Sequence, residues 1–182
     1  MNIYFDTEFT GLHKDTSLIS IGLVTDDNRT FYAELIDYDK KQVDEWIKNN
    51  VINHLKFNGQ YKCTQTATDC ELSQIKPYVR ESLKKWLSQF DSVQFVSDVC
   101  HYDFVLLIDL FGTAFDLPSN VSASCHDINQ DIAKYYGVSE KETFDVSREE
   151  ILAGYGIHID GDKHNALYDA KVIKAIYEVI HK

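Results

Sequence analysis

Three strand-like runs in the first 35 residues constrain this chain more than any other feature. Residues 2–6 form a short apolar run, residues 17–24 (SLISIGLV) a second, and residues 29–35 (RTFYAEL) a third after the turn signal Asp26-Asp27-Asn28. Strands joined by such short links predict an antiparallel meander. Residues 40–50 then look helical, and the pattern is lost in a polar stretch from 53 to 70. A long amphipathic helix is expected next, with Leu72, Ile75, Val79, Leu83, Trp86, Leu87 and Phe90 on one side and Pro77 near its first turn or at a kink. Residues 92–97 read as a fourth strand, 102–112 as a helix closed by Gly112, 121–125 as a fifth strand and 128–136 as a helix. A short helix at 147–154 leads to the last, at about 164–181. The expected fold class is α/β, with a mixed five-stranded sheet flanked by helices and a single domain over residues 1–182. Apolar residues make up 44% of the chain, enough for a core in a domain of this size.

Several acids fall where the core should be. Asp6 and Glu8 are two apart on the opening strand, so they share a face, and the apolar Ile3-Tyr4-Phe5 carries them inward. Held side by side there, they raise each other's pKa unless a cation neutralises them. The spacing alone is weak: a second pair, Asp69/Glu71, has no strand before it and reads as a solvated helix start. Asp103 shares a helix face with Leu106, Leu107 and Leu110, with an N-cap as the bland alternative. Asp169 lies on the stripe of Ala166, Ile173, Ile176 and Ile180, too far inside that helix to be a cap. His164 precedes it by five residues; His126/Asp131 repeats that spacing, so only the apolar embedding of Asp169 separates the two. Four acids on three elements, all aimed at the core side, suit hard divalent cations such as Mg2+. Two such ions serve phosphodiester hydrolysis, with a histidine free to act as general base.

Those residues lie in FDTEFTGL (Phe5 to Leu12), CHYDFVLL (Cys100 to Leu107) and KHNALYDAK (Lys163 to Lys171). In order and spacing these segments resemble the three motifs of the DEDDh 3′–5′ exonucleases. The compact layout, the Phe after Glu8, RTFYAEL and DEWIKNNV are similar to the small bacterial exoribonucleases of the mycobacterial type. The resemblance implies an RNase H-like fold and two Mg2+ ions, with Mn2+ able to substitute. It implies that Asp6, Glu8 and Asp169 bind one ion, and that Asp6, bridging, and Asp103 hold the second. His164 would orient and deprotonate the attacking water. Thr10, Gly11 and Leu12 would lie along the terminal nucleotide, with Leu12 or Phe9 packed on a base. Val99 stands where many members have Asn before the Asp of the second motif, a departure that bears on support of the second ion and removes no ligand. The expected activity is hydrolysis at the 3′ end of RNA with release of nucleoside 5′-monophosphates. Action on DNA is the alternative. A haloacid-dehalogenase-like phosphatase, faintly echoed by Gly161-Asp162, and a non-catalytic nucleic-acid-binding relative rank lower. A homodimer is a further expectation, since family members are often dimers.

Net charge tests this reading. Lys and Arg total 18 against 29 Asp and Glu, for a net charge of −11, and such a surface repels a polyanion. Two divalent ions offset part of it, so the chain is expected to hold a short or frayed 3′ end at the cations without clamping a long strand. Cys63, Cys70, Cys100 and Cys125 match neither a zinc site nor a disulfide framework and read as free buried thiols. No charged-then-apolar leader opens the chain and no run is long enough to span a membrane, so no membrane partner and a cytoplasmic location are expected.

Overall fold

The meander forms as the sequence pattern predicts. In the computed structural model, which describes residues 1–182, β1 (Asn2–Phe9), β2 (Leu18–Thr25) and β3 (Thr30–Leu35) pair antiparallel in succession. On the other side of β1, β6 (Val93–Ser97) and then β7 (Val121–Asp127) join in parallel. The sheet has seven strands and not five, in the order β4 (Lys62–Gln65), β5 (Asp69–Gln74), β3, β2, β1, β6 and β7.

The two additional strands are β4 (Lys62–Gln65) and β5 (Asp69–Gln74). They occupy the stretch expected to be patternless and the expected first turn of the long helix. All four β4 residues are exposed, so this edge strand carries no apolar alternation to read. Leu72 enters the core from β5, and its spacing to Val79 imitates a helical stripe. The helix α2 therefore spans only Lys76–Leu87, with Pro77 in its first turn, where a missing N–H costs no helical bond. Asp69 and Glu71 are strand residues and not a helix start: Asp69 accepts from the Thr30 hydroxyl at 2.6 Å, and Glu71 pairs with Lys56 at 2.6 Å.

Six more helices complete the chain: α1 (Glu45–Asn50), α3 (His101–Phe111), α4 (Ile128–Tyr136), α5 (Glu140–Phe144), α6 (Arg148–Gly154) and α7 (Ala166–Ile180). Alternation along β1 divides the core between the two faces of the sheet. Ile3 and Phe5 pack with residues of α2 and α3, whereas Tyr4 packs with α4, α6 and α7. Asp6 and Glu8 have the parity of Tyr4 and so face the α7 side. A register shift between Glu8 and Phe9 turns Ile19 of β2 toward Ile47 and Val51, which seats α1 beside the end of β1. All four cysteines are free; Cys70 is buried, Cys100 and Cys125 are half-buried, and Cys63 is exposed, against the expectation of four buried thiols. No helix is long and apolar enough to cross a membrane.

Candidate active site

The site opens where β1 outruns its parallel neighbour. β1 pairs with β6 only over Asn2–Tyr4, so the backbone edge beyond it is free for other partners. The Thr7 N–H takes such a partner, donating to Asp103 Oδ1 at 3.1 Å, and the Thr7 hydroxyl donates to the same oxygen. Ser97 at the end of β6 donates to Asp103 Oδ2 at 3.3 Å. Asp103 lies in the first turn of α3 and is buried, but its carboxylate reaches across to β1 and β6 instead of capping its own helix.

From the opposite face, α7 brings Asp169 to Asp6 and Glu8. One carboxylate oxygen from each of the three lies within 4.8 Å of the others. Asp169 is in the first turn of α7, not deep inside it as its spacing suggests. Its Oδ2 accepts the backbone N–H of His164 at 2.9 Å, while Asn165 caps the helix proper. His164 itself adopts a left-handed backbone (φ +64°), and its ring meets Trp46 of α1 edge-on at 5.4 Å. The decoy His126/Asp131 pairs elsewhere, on β7 and α4, away from this cavity.

The electrostatics follow from crowding of like charge. Burial, with Asp103 and Asp169 close by, raises the Asp6 carboxyl well above its ordinary value. Burial followed by the charges of Asp169 and Asp103 pushes Glu8 up to about 8, and burial pushes Asp169 up to about 7. Asp103 is also raised by burial, with the Thr7 hydrogen bonds opposing. No Lys or Arg forms an ion pair with any of the four. Acidic oxygens gathered in this way, with no Lys or Arg in ion-pair contact, are the donor set of a hard divalent ion, and the residues fit one. His164 shifts the other way: burial and then the neighbouring Lys163 charge hold it below the ordinary histidine value.

All nine residues singled out from the sequence border one cavity of about 670 Å³. Phe9 stacks on Tyr102 with ring centroids 5.4 Å apart, while Leu12 stands 77% exposed at the rim. Thr10 is buried, and its hydroxyl is spent inside the loop on Gln42 and on the backbone N–H of Ser17, so it shapes the wall and offers no free hydroxyl. Gly161 and Asp162, the phosphatase echo, line a separate cleft with Asp160 and Tyr168. Sequence reasoning missed Trp46, Asp98, Arg148 and Lys163 on the same wall. Lys163 opens the KHNALYDAK segment, Trp46 lies within DEWIKNNV and Asp98 stands two residues before CHYDFVLL, so each was in view without a role; Arg148 arrives from α6 with no local pattern. Val99 has φ +53°, a conformation a β-branched residue rarely adopts and asparagine accepts.

Comparison with known proteins agrees with this geometry. A family model described as the 3′-5′ exoribonuclease Rv2179c-like domain matches residues 1–181. The 3′-5′ exoribonuclease Rv2179c of Mycobacterium tuberculosis strain H37Rv is 27% identical over 132 residues, which cover 71% of this chain and 73% of that protein. Among solved structures, the nuclease domain of 3′hExo, a DEDDh family member bound to rAMP, is similar with a TM-score of 0.64 and 14% identity, over 99% of this chain and 91% of that one. Pop2p of S. pombe, in a form with Mg2+ and Mn2+ bound, has a TM-score of 0.63 at 15% identity, over 98% and 82%. A 3′-exonuclease that recognises a histone mRNA stem-loop has a TM-score of 0.67 at 14% identity; the match covers 98% of this chain and 63% of that longer one. These structures share the RNase H-like exonuclease fold.

Proposed function

The chain belongs to the Rv2179c-like 3′–5′ exoribonuclease family, and we propose that its cavity hydrolyses the terminal phosphodiester at the 3′ end of RNA and releases nucleoside 5′-monophosphates. Residues 1–182 act as one exonuclease domain in this reading. The observation that carries it is the convergence of Asp6, Glu8 and Asp169, with oxygens within 4.8 Å, in one cavity with His164. The enzyme depends on divalent metal. Asp6, Glu8 and Asp169 would hold one Mg2+, and Asp6 with Asp103 a second, with Mn2+ an acceptable substitute. Cations held by these acids would supply charge neutralisation at the scissile phosphate and a lowered pKa for the attacking water.

The remaining chemistry belongs to side chains. The imidazole of His164 accepts a proton from the water, and it is oriented by its backbone bond to Asp169 and by the edge of Trp46. Thr7 and Ser97 fix the carboxylate of Asp103. Leu12 and Trp46, 77% and 53% exposed, offer apolar surface to the terminal base, and Phe9 backs that wall through Tyr102. Gly11 lies between them on the loop that follows β1. RNA 3′ ends are thus the partner, held at the site without a long basic clamp, as the net charge of −11 requires. No support for a homodimer comes from the single chain.

The test is a matched degradation assay with 3′-labelled RNA and DNA, single- and double-stranded, with Mg2+, with Mn2+ and with a chelator. Metal-dependent release of mononucleotides from single-stranded RNA is expected. Release of phosphate from a small phosphoester, with no nucleotide product, would overturn the reading.

A further inference from the structure

A fifth carboxylate borders the cluster, and the fold spends an entire arginine on it. Asp98 follows β6 directly and lines the same cavity as Asp6 and Asp103. Arg148, the first residue of α6, meets it fork-on, with Nε at 2.6 Å from Oδ2 and Nη2 at 3.0 Å from Oδ1. The pair is mostly buried, the side chains being 13% and 19% exposed. Arg148 Nη1 donates to the carbonyls of Thr143 at 2.8 Å and Val146 at 3.1 Å, and Nη2 also donates to Asn129 Oδ1 at 2.9 Å. A guanidinium has five N–H donors, and all five are engaged. Arg148 therefore has no donor left for a substrate phosphate, although it lines the cavity.

The surrounding bonds make this corner rigid. Asp127 accepts the backbone N–H groups of Val99 at 3.1 Å and Cys100 at 3.3 Å, and so holds the left-handed turn that aims Asp98. The same carboxylate accepts from the Asn129 N–H at 2.9 Å, which links the turn back to the arginine's partner. The carbonyls held by Arg148 belong to the segment that places Phe144 and Val146 on the cavity wall.

We propose that Arg148 is a positioning residue that neutralises Asp98 and keeps it from acting as an additional ligand of the cation cluster, while it ties the 143–149 wall to that cluster. The proposal rests on the reading of Asp6, Glu8 and Asp169 as the cation site. A unit charge left uncompensated beside that site acts on a divalent ion directly, so the two halves of the pair have opposite signs of effect.

The test is calorimetric titration of Mn2+ into the metal-free full chain, with melting curves to confirm folding. Arg148→Gln is expected to tighten Mn2+ binding about tenfold, and Asp98→Asn to weaken it about tenfold. The double variant should return to the wild-type affinity. Single variants that shift in the same direction, or not at all, would overturn the proposal. Should Arg148→Gln fail to fold, Asp98→Asn alone decides, because unchanged binding in that variant contradicts a guanidinium poised beside the cations. Wild-type protein that takes up no Mn2+ would overturn the cation reading itself, a result distinct from variants that titrate alike.

Discussion

Gly22 lies directly beneath Ala166: a Cβ built on this glycine would overlap the carbonyl carbon of Ala166 and the nitrogen of Leu167. Gly22 is the cross-strand neighbour of Asp6, so the absent side chain is what lets the start of α7 settle onto β2 beside the first acid. Backbone atoms cannot swing aside as a side chain can. Gly22→Ala should therefore lower stability by about 2–3 kcal/mol or more and lift Asp169 away from Glu8. Denaturant unfolding together with Mn2+ titration checks both effects; a fully stable variant with normal metal binding would contradict this role of the contact.

His164→Ala removes the proposed proton acceptor but no acid. Hydrolysis should slow by about 10²–10⁴, with the melting temperature and Mn2+ affinity close to wild type. Single-turnover rates on a 3′-labelled RNA measure this, and a near-normal rate would remove His164 from the base role.

Asp169→Asn keeps an oxygen that can still accept the His164 N–H, so the turn at the start of α7 should survive. The loss of one negative charge from the cluster should weaken divalent binding by about tenfold or more. An unchanged titration would place Asp169 outside the metal site.

Much of this was legible before the structure, for a physical reason. Asp6, Glu8, Asp103 and Asp169 stand out because acids among buried apolar residues contradict their setting, and that contradiction is local to each segment. The parallel pairing of β5 with β3 left no such trace. An exposed edge strand such as β4 has no alternation, and Leu72 sits on β5 at a spacing that a helix would also produce. Trp46 and Arg148 were silent because their meaning lies in what they meet, His164 across the site and Asp98 fifty residues away.

Stability should depend on pH in a direction set by the crowded acids. A carboxyl whose pKa is higher folded than unfolded binds its proton more tightly in the folded state. Its contribution is whole below the ordinary carboxylate range near 4 and is lost as pH rises through the folded value, about 7 for Asp169 and about 8 for Glu8. Metal-free protein should thus melt at progressively lower temperature from pH 5 to pH 8 as far as these groups govern, and millimolar Mn2+ should remove most of that fall. Thermal scans across this range, with and without the ion, give the comparison. A slope identical in the Asp169→Asn variant would show that other groups are responsible.

Val99 is strained where it stands. Replacement by asparagine, which tolerates the left-handed region, should raise stability by about 1 kcal/mol while preserving the N–H bond to Asp127. A lower melting temperature for Val99→Asn would mean that the valine side chain gains more from its wall of the cavity than its backbone loses.

The proposed reacting groups come from stretches far apart in sequence: Asp6 and Glu8 from β1, His164 and Asp169 from the approach and first turn of α7. During synthesis, a ribosome-bound fragment that ends before His164 owns two acids of the proposed triad and no base. The proposed capacity to degrade RNA is therefore withheld until the segment from His164 to Asp169 has emerged and packed against β1.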